Sequence, residues 1–137
     1  MPGANRSAVL EWFSALSEAR YDDAWALMDP AAEYWVLRRR VAIPMAEFAD
    51  LYVGHMKKTF VDGLRFTPGT MTAEDDRVAV LADSDGELVS GGRYDNKYHF
   101  LFQLRDGLIS RVWEYGDTYQ SWKAFAQGKV KEEENNE

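Results

Sequence analysis

Cysteine is absent from the chain, which excludes disulfides, thiolate zinc sites and cysteine nucleophiles together. Histidine is nearly as scarce: His55 and His99 fall on different expected elements, so a histidine-rich metal site cannot be built. The motifs G-x-S-x-G, H-E-x-x-H, G-x-x-x-x-G-K-[ST] and G-x-G-x-x-G do not occur. No metal and no cofactor is therefore expected. Positive charge is in deficit, with 16 lysines and arginines against 23 acidic residues and a net charge of −7. An acidic body repels phosphate backbones, so nucleic acid is not an expected partner. No apolar run has transmembrane length, and Met1 to Trp12 shows no basic segment followed by an apolar one. The expectation is a soluble cytoplasmic protein with no membrane partner.

What the chain does contain is aromatic side chains, 14% of its 137 residues, enough for a large core or an aromatic-walled pocket. That length suits one domain, expected over residues 1–128. Residues 129–137, KVKEEENNE, read as a disordered acidic tail. Arg38-Arg39-Arg40 is the one basic run and reads as a solvated strand end, with a small anion patch as the lesser alternative.

Periodicity supplies the elements. Val9, Trp12, Phe13 and Leu16 predict a helix over 7–19, with Asn5 or Ser7 as cap. A second helix is expected from Tyr21 to Met28, stopped by Asp29-Pro30, then a strand from Glu33 to Val41. Pro44 suits the first turn of a third helix with Phe48, Leu51, Tyr52 and Met56 on its apolar stripe. Three strands follow near 64–71, 77–82 and 87–90, with turns at Asp75-Asp76 and Asp85-Gly86. Thr118 to Phe125 reads as a closing helix with Asp117 as its cap, and Gly128 as the end of the folded part. Helices first and antiparallel strands afterwards indicate an α+β domain with helices on one face of a curved sheet.

The most informative stretch is Gly92 to Asp117. Tyr94, Asn96, Tyr98, Phe100, Phe102 and Leu104 alternate with polar or outward positions, Asp106-Gly107 is a tight-turn signal, and Leu108 to Tyr115 returns. On the return strand Glu114 stands among Val112, Trp113 and Tyr115 and shares parity with Val112 and Ser110. Turned inward, its carboxyl would be raised by burial and could serve as general acid or base. The competing reading is a structural carboxylate paired with a buried arginine or amide. His99 has the opposite parity and is expected on the outer face, near a subunit contact.

The order of elements, with the phrases FSALSEARYDDAWALMDPAAEYWV and YHFLFQLRDGLISRVWEYGD, resembles the superfamily of nuclear transport factor two, ketosteroid isomerase and limonene epoxide hydrolase. Within it the SnoaL-like polyketide cyclase branch is the most similar. The resemblance spans about residues 5–127 and implies a cone-shaped, curved mixed sheet wrapped around three N-terminal helices, enclosing a deep apolar pocket. It also implies a homodimer through the outer sheet face. Ketosteroid isomerases place their two oxyanion donors and their base where this chain has Trp12, Tyr98 and Val36, so that base is missing. Epoxide hydrolases of this group activate water with an aspartate at the place of Glu114. Their tyrosine and asparagine fall on Tyr34 and Val36, and their arginine-x-aspartate pair on Arg77 and Ala79.

The reading these features imply is a cofactor-free enzyme using a pocket carboxylate on an apolar, oxygenated small molecule, by cyclisation, isomerisation, dehydration or hydrolysis. Glu114, Tyr98 and Tyr34 are the catalytic candidates. Trp12, Tyr52, His55, Met56, Asn96, Phe100 and Val112 are the candidates for contact with substrate. A non-catalytic ligand-binding module and a protein-interaction domain of the same fold are the alternatives.

Overall fold

Val9, Trp12, Phe13 and Leu16 recur at three- and four-residue spacing and give helix α1 (Pro2–Ser17) one fully buried face. The helix starts earlier than the caps suggested, because Ser7 Oγ donates back to Gly3 O at 3.0 Å inside it and does not cap. A computed structural model describes residues 2–126. Gly128 and the acidic tail lie outside the described residues.

Helix α2 (Tyr21–Ala26) is followed at once by strand β1 (Met28–Val36). Asp29-Pro30 therefore lies within a strand and does not end a helix. Proline fits there because the pairing of β1 is irregular between Met28 and Glu33, so no ladder donor is missed. Strand β1 ends at Val36, not at Val41, and Leu37–Arg39 form a turn. A short strand β2 (Ala42–Pro44), too brief for a periodic signal, leads into α3 (Met45–Thr59).

Strand β3 (Arg65–Glu74) pairs with β4 (Arg77–Glu87), which is one strand where two were expected. Asp85-Gly86 is no turn: the two residues pair with Asp95 and Tyr94 on the next strand. Glycine is needed at 86 for space, since a Cβ there would lie 2.9 Å from the Phe60 ring and 3.0 Å from Gly63 O.

The hairpin forms as read, with β5 (Arg93–Arg105) and β6 (Leu108–Gly116) joined by Asp106 and Gly107 at φ 53° and 82°. Along β5 each alternate residue from Tyr94 to Leu104 is buried. Strand β6 departs from simple alternation. Gln103 faces Arg111 and Leu104 faces Ile109, so Ser110 is an inserted residue whose hydroxyl donates to Gln103 O at 3.1 Å. Ile109, not Ser110, then joins Val112 in the interior.

The six-stranded sheet has the order β2-β1-β6-β5-β4-β3, mixed because β1 runs parallel to β6 while the other neighbours are antiparallel. Helix α4 (Thr118–Ser121) is capped as expected, Asp117 Oδ1 accepting from Tyr119 N and Gln120 N, and it continues as a wider turn over Trp122–Ala126. The curved sheet packs its inner face on α1 and α3 around Trp12, Phe13, Phe100 and Phe102. Among the described residues no helix is long and apolar enough to cross a membrane.

Candidate functional site

The parallel pairing of β1 with β6 sets Val36 beside Glu114 and Tyr34 beside Val112. That register brings two residues 80 positions apart into contact: Tyr34 Oη donates to Glu114 Oε1 at 2.6 Å. The Tyr34 ring is held by face stacking on Phe48 of α3, with centroids 3.5 Å apart and planes 7° apart, and its other side is backed by Trp12.

Glu114 borders a cavity of about 380 Å³. Helix α3 contributes Phe48, Tyr52, His55 and Met56 to the wall, and β5 contributes Tyr94 and Tyr98. Phe125 closes one side, and Arg38 and Arg39 stand where the β1–β2 turn meets the cavity. The lining is thus largely aromatic and apolar, with two arginines and one carboxylate set into it.

Burial pushes the Glu114 carboxyl up, while the Tyr34 hydrogen bond and the charges of Arg38 and Arg39 pull it partly back. The residue is half-buried, open to the cavity and enclosed by protein elsewhere. Burial, and then the charge of Glu114, raise the Tyr34 phenol well above the ordinary tyrosine range, so it remains a neutral donor. Tyr52 is raised for the same first reason, and its hydroxyl is buried with no hydrogen-bond partner among the described residues.

Because the Tyr34 bond favours the charged carboxylate, removing it should raise the Glu114 pKa further. Tyr34→Phe is the variant, and carbon-13 NMR titration of glutamate side chains is the measurement. A fall in that pKa would contradict the assigned geometry.

The three catalytic candidates, Glu114, Tyr98 and Tyr34, do not all join one hydrogen-bonded set. Tyr98 lines the same cavity, but its hydroxyl is bonded to Ser84 Oγ at 2.8 Å, and Tyr34 holds the acid. Tyr52, His55 and Met56 reach the wall, as does Val36. His55 Nδ1 also bonds Thr59 Oγ1 at 3.1 Å, one helical turn on. Trp12, Phe100 and Val112, expected on the walls, are instead sealed in the core, where the Trp12 ring of α1 packs on Phe100 and Phe102 of β5. Asn96 is buried and committed elsewhere, its Nδ2 within reach of Tyr94 Oη (2.8 Å), Asp117 O (3.2 Å) and Ser121 Oγ (3.3 Å). It fastens the closing helix to β5.

Sequence reasoning missed Phe48, Tyr94 and Phe125 as wall residues, and it ranked second the anion patch that Arg38 and Arg39 would form. An Arg-Arg-Arg run directly after an apolar strand was the available signal. Asp83 and Asp85, close in sequence, are each occupied by Lys97 and Arg93. Among the described residues no group of three or more histidine, aspartate or glutamate side chains could hold a metal ion.

A family model for the SnoaL-like domain matches residues 9–112. The chain belongs to the SnoaL-like domain family. Solved structures agree on the fold of this SnoaL-like domain. PrhC from Penicillium brasilianum is 16% identical with a TM-score of 0.84, covering 96% of this chain and 91% of that one. A candidate SnoaL-like polyketide cyclase from Jannaschia is 22% identical with a TM-score of 0.76, covering 90% and 92%. An LEH-like epoxide hydrolase from M. tuberculosis is 18% identical with a TM-score of 0.75, covering 94% of each. At these identities the likeness carries the fold alone. No curated protein matches the sequence.

Three positions separate this SnoaL-like domain from the epoxide-hydrolase arrangement. Arg77 is exposed at the start of β4, and neither it nor Ala79 lines the cavity. Val36 stands beside Glu114 where an amide would be needed to hold water.

Proposed function

We propose that this SnoaL-like domain is a cofactor-free acid/base enzyme acting on an apolar, oxygenated small molecule of polyketide, terpenoid or aromatic type. The observation that carries the reading is the half-buried Glu114 carboxyl, open to a ligand-sized cavity and held by a single phenolic donor. As a carboxylate Glu114 takes a proton from the substrate, and as the resulting acid it returns that proton to another atom. The cycle is neutral in protons and electrons and suits isomerisation or cyclisation. Tyr34 holds the carboxyl in place. With Ser84 donating to Tyr98, the Tyr98 proton becomes a donor for a substrate carbonyl.

The test is a panel of apolar carbonyl compounds and epoxides incubated with the protein, with products followed by mass spectrometry. Turnover is expected and should be lost in Glu114→Gln. Undiminished turnover in that variant would remove Glu114 from the chemistry. Binding without turnover across the panel would assign a non-catalytic module.

A second copy of this chain is the partner proposed for the outer sheet face. Leu81 and Tyr115 are exposed there, and Tyr115 packs on Trp35 with ring centroids 5.0 Å apart. Sedimentation should give a mass twice that of the chain, and Leu81→Arg should shift it towards the monomer. A monomeric wild type would end this part of the proposal.

A further inference from the structure

The arginine run enters the proposed chemistry only as charge acting on Glu114, with no contact of its own to a substrate. Strand β1 ends at Val36, and the chain then turns tightly: Arg39 N and Arg40 N both donate to Val36 O at 3.0 Å, and Arg40 takes φ 62°. Leu37 N donates to Glu114 O at 3.0 Å, so the turn is pinned to the strand that carries the acid. Backbone geometry thereby fixes Arg38 and Arg39 at the edge of the cavity that Glu114 borders.

Neither guanidinium has a partner within ion-pair or hydrogen-bond distance among the described residues, and both act on Glu114 through charge alone. Arg20 gathers Glu11, Glu18 and Asp23, and Arg93 takes Asp85, but what sets Arg38 and Arg39 apart from the other arginines is that they line the cavity. Two unpaired arginines at a cavity edge make a local positive field in an otherwise repulsive body. Such a field concentrates an anionic ligand and orients it.

We propose that the natural ligand of this SnoaL-like domain carries a carboxylate, held at the cavity mouth by Arg38 and Arg39 while its apolar body extends inward to Glu114. The inference rests on the reading of the cavity as a ligand site. A carboxylate fits better than a phosphate for two reasons. The planar guanidinium fork matches a carboxylate with two parallel hydrogen bonds. A single charge is also repelled less than a double one by Glu114 and by the acidic body. Holding the charged end outside would further orient the substrate, leaving its neutral, reactive part within reach of Glu114.

Calorimetric titration of the full chain with naphthoate, biphenylcarboxylate and phenylbutyrate, each beside its amide and beside naphthyl phosphate, tests this. At least one acid should bind about tenfold more tightly than its amide, as expected for a partly solvated arginine–carboxylate contact. The doubly substituted Arg38→Gln, Arg39→Gln protein should lose that preference. Arg40→Gln, whose side chain is exposed and outside the cavity lining, should keep it. Equal binding of acid and amide, binding by no acid, or a preference that survives the double substitution would overturn the proposal. Tighter binding of naphthyl phosphate than of every carboxylate would overturn the assignment of the charged group. The readout is binding and not turnover, so a catalytically silent Glu114 would leave this result unchanged, and the two readings fail separately.

Discussion

Replacing Glu114 with glutamine should lower turnover by about 10²–10⁴-fold, the usual contribution of a positioned general acid or base. Glutamine preserves the shape, and Tyr34 Oη can still donate to its side-chain oxygen across the 2.6 Å contact. What is lost is only the ability to gain and release a proton. Stability should move in the opposite direction. The folded-state pKa of Glu114 lies above the ordinary carboxylate value of 4.5, so the folded chain binds this proton more tightly than the unfolded chain. That contribution is fully present below pH 4.5 and is lost as pH rises through the folded pKa. Glu114→Gln removes this slope, so thermal unfolding followed from acid to neutral pH should show the variant gaining on the wild type as pH rises. A variant that lost ground over that window would contradict the burial argument. So would one that kept full turnover.

Trp12→Ala should cost about 3–5 kcal/mol, the range for removing a large aromatic side chain from a packed core. Against a total of about 5–15 kcal/mol for a domain, that is enough to unfold a sizeable fraction of the molecules. Trp12 is 1% exposed and touches the rings of Phe13, Tyr34, Phe100 and Phe102, joining α1 to the centre of the sheet. Denaturant titration provides the measurement. Its indole nitrogen is buried with no partner among the described residues, so Trp12→Phe removes an unsatisfied donor while refilling most of the volume. That variant should recover much of the loss. If Trp12 instead lined the cavity, as the sequence pattern suggested, truncation to alanine would mainly alter ligand affinity and cost little stability. The two substitutions therefore separate a core residue from a wall residue.

Both expectations depend on which partners the fold brought together, and the parts legible in advance were the local ones. The β5–β6 hairpin was readable because alternation of Tyr94 to Leu104 and the Asp106-Gly107 turn are decided within a few residues. The end of β4 was misread because Asp85-Gly86 carries a turn signature, whereas Gly86 is required by the approach of Phe60 and Gly63. Strand β1 was placed too late because proline normally argues against a strand, and only irregular pairing with β6 makes Pro30 acceptable. The apolar stripe of α1 was identified correctly, yet periodicity says that a face is buried and not whether it meets a cavity or a sheet.

By itself the sequence determined the α+β class, the helix that opens the chain and the long hairpin. Each follows from side-chain alternation or turn chemistry acting over a short span of backbone. Only the tertiary structure decided that Tyr34 holds Glu114 while Tyr98 bonds Ser84, that Trp12 lies in the core, and that Arg38 and Arg39 reach the cavity. Those outcomes follow from the parallel register of β1 on β6 and from the turn pinned beside it. That register joins residues 80 positions apart, a distance over which no local pattern carries information.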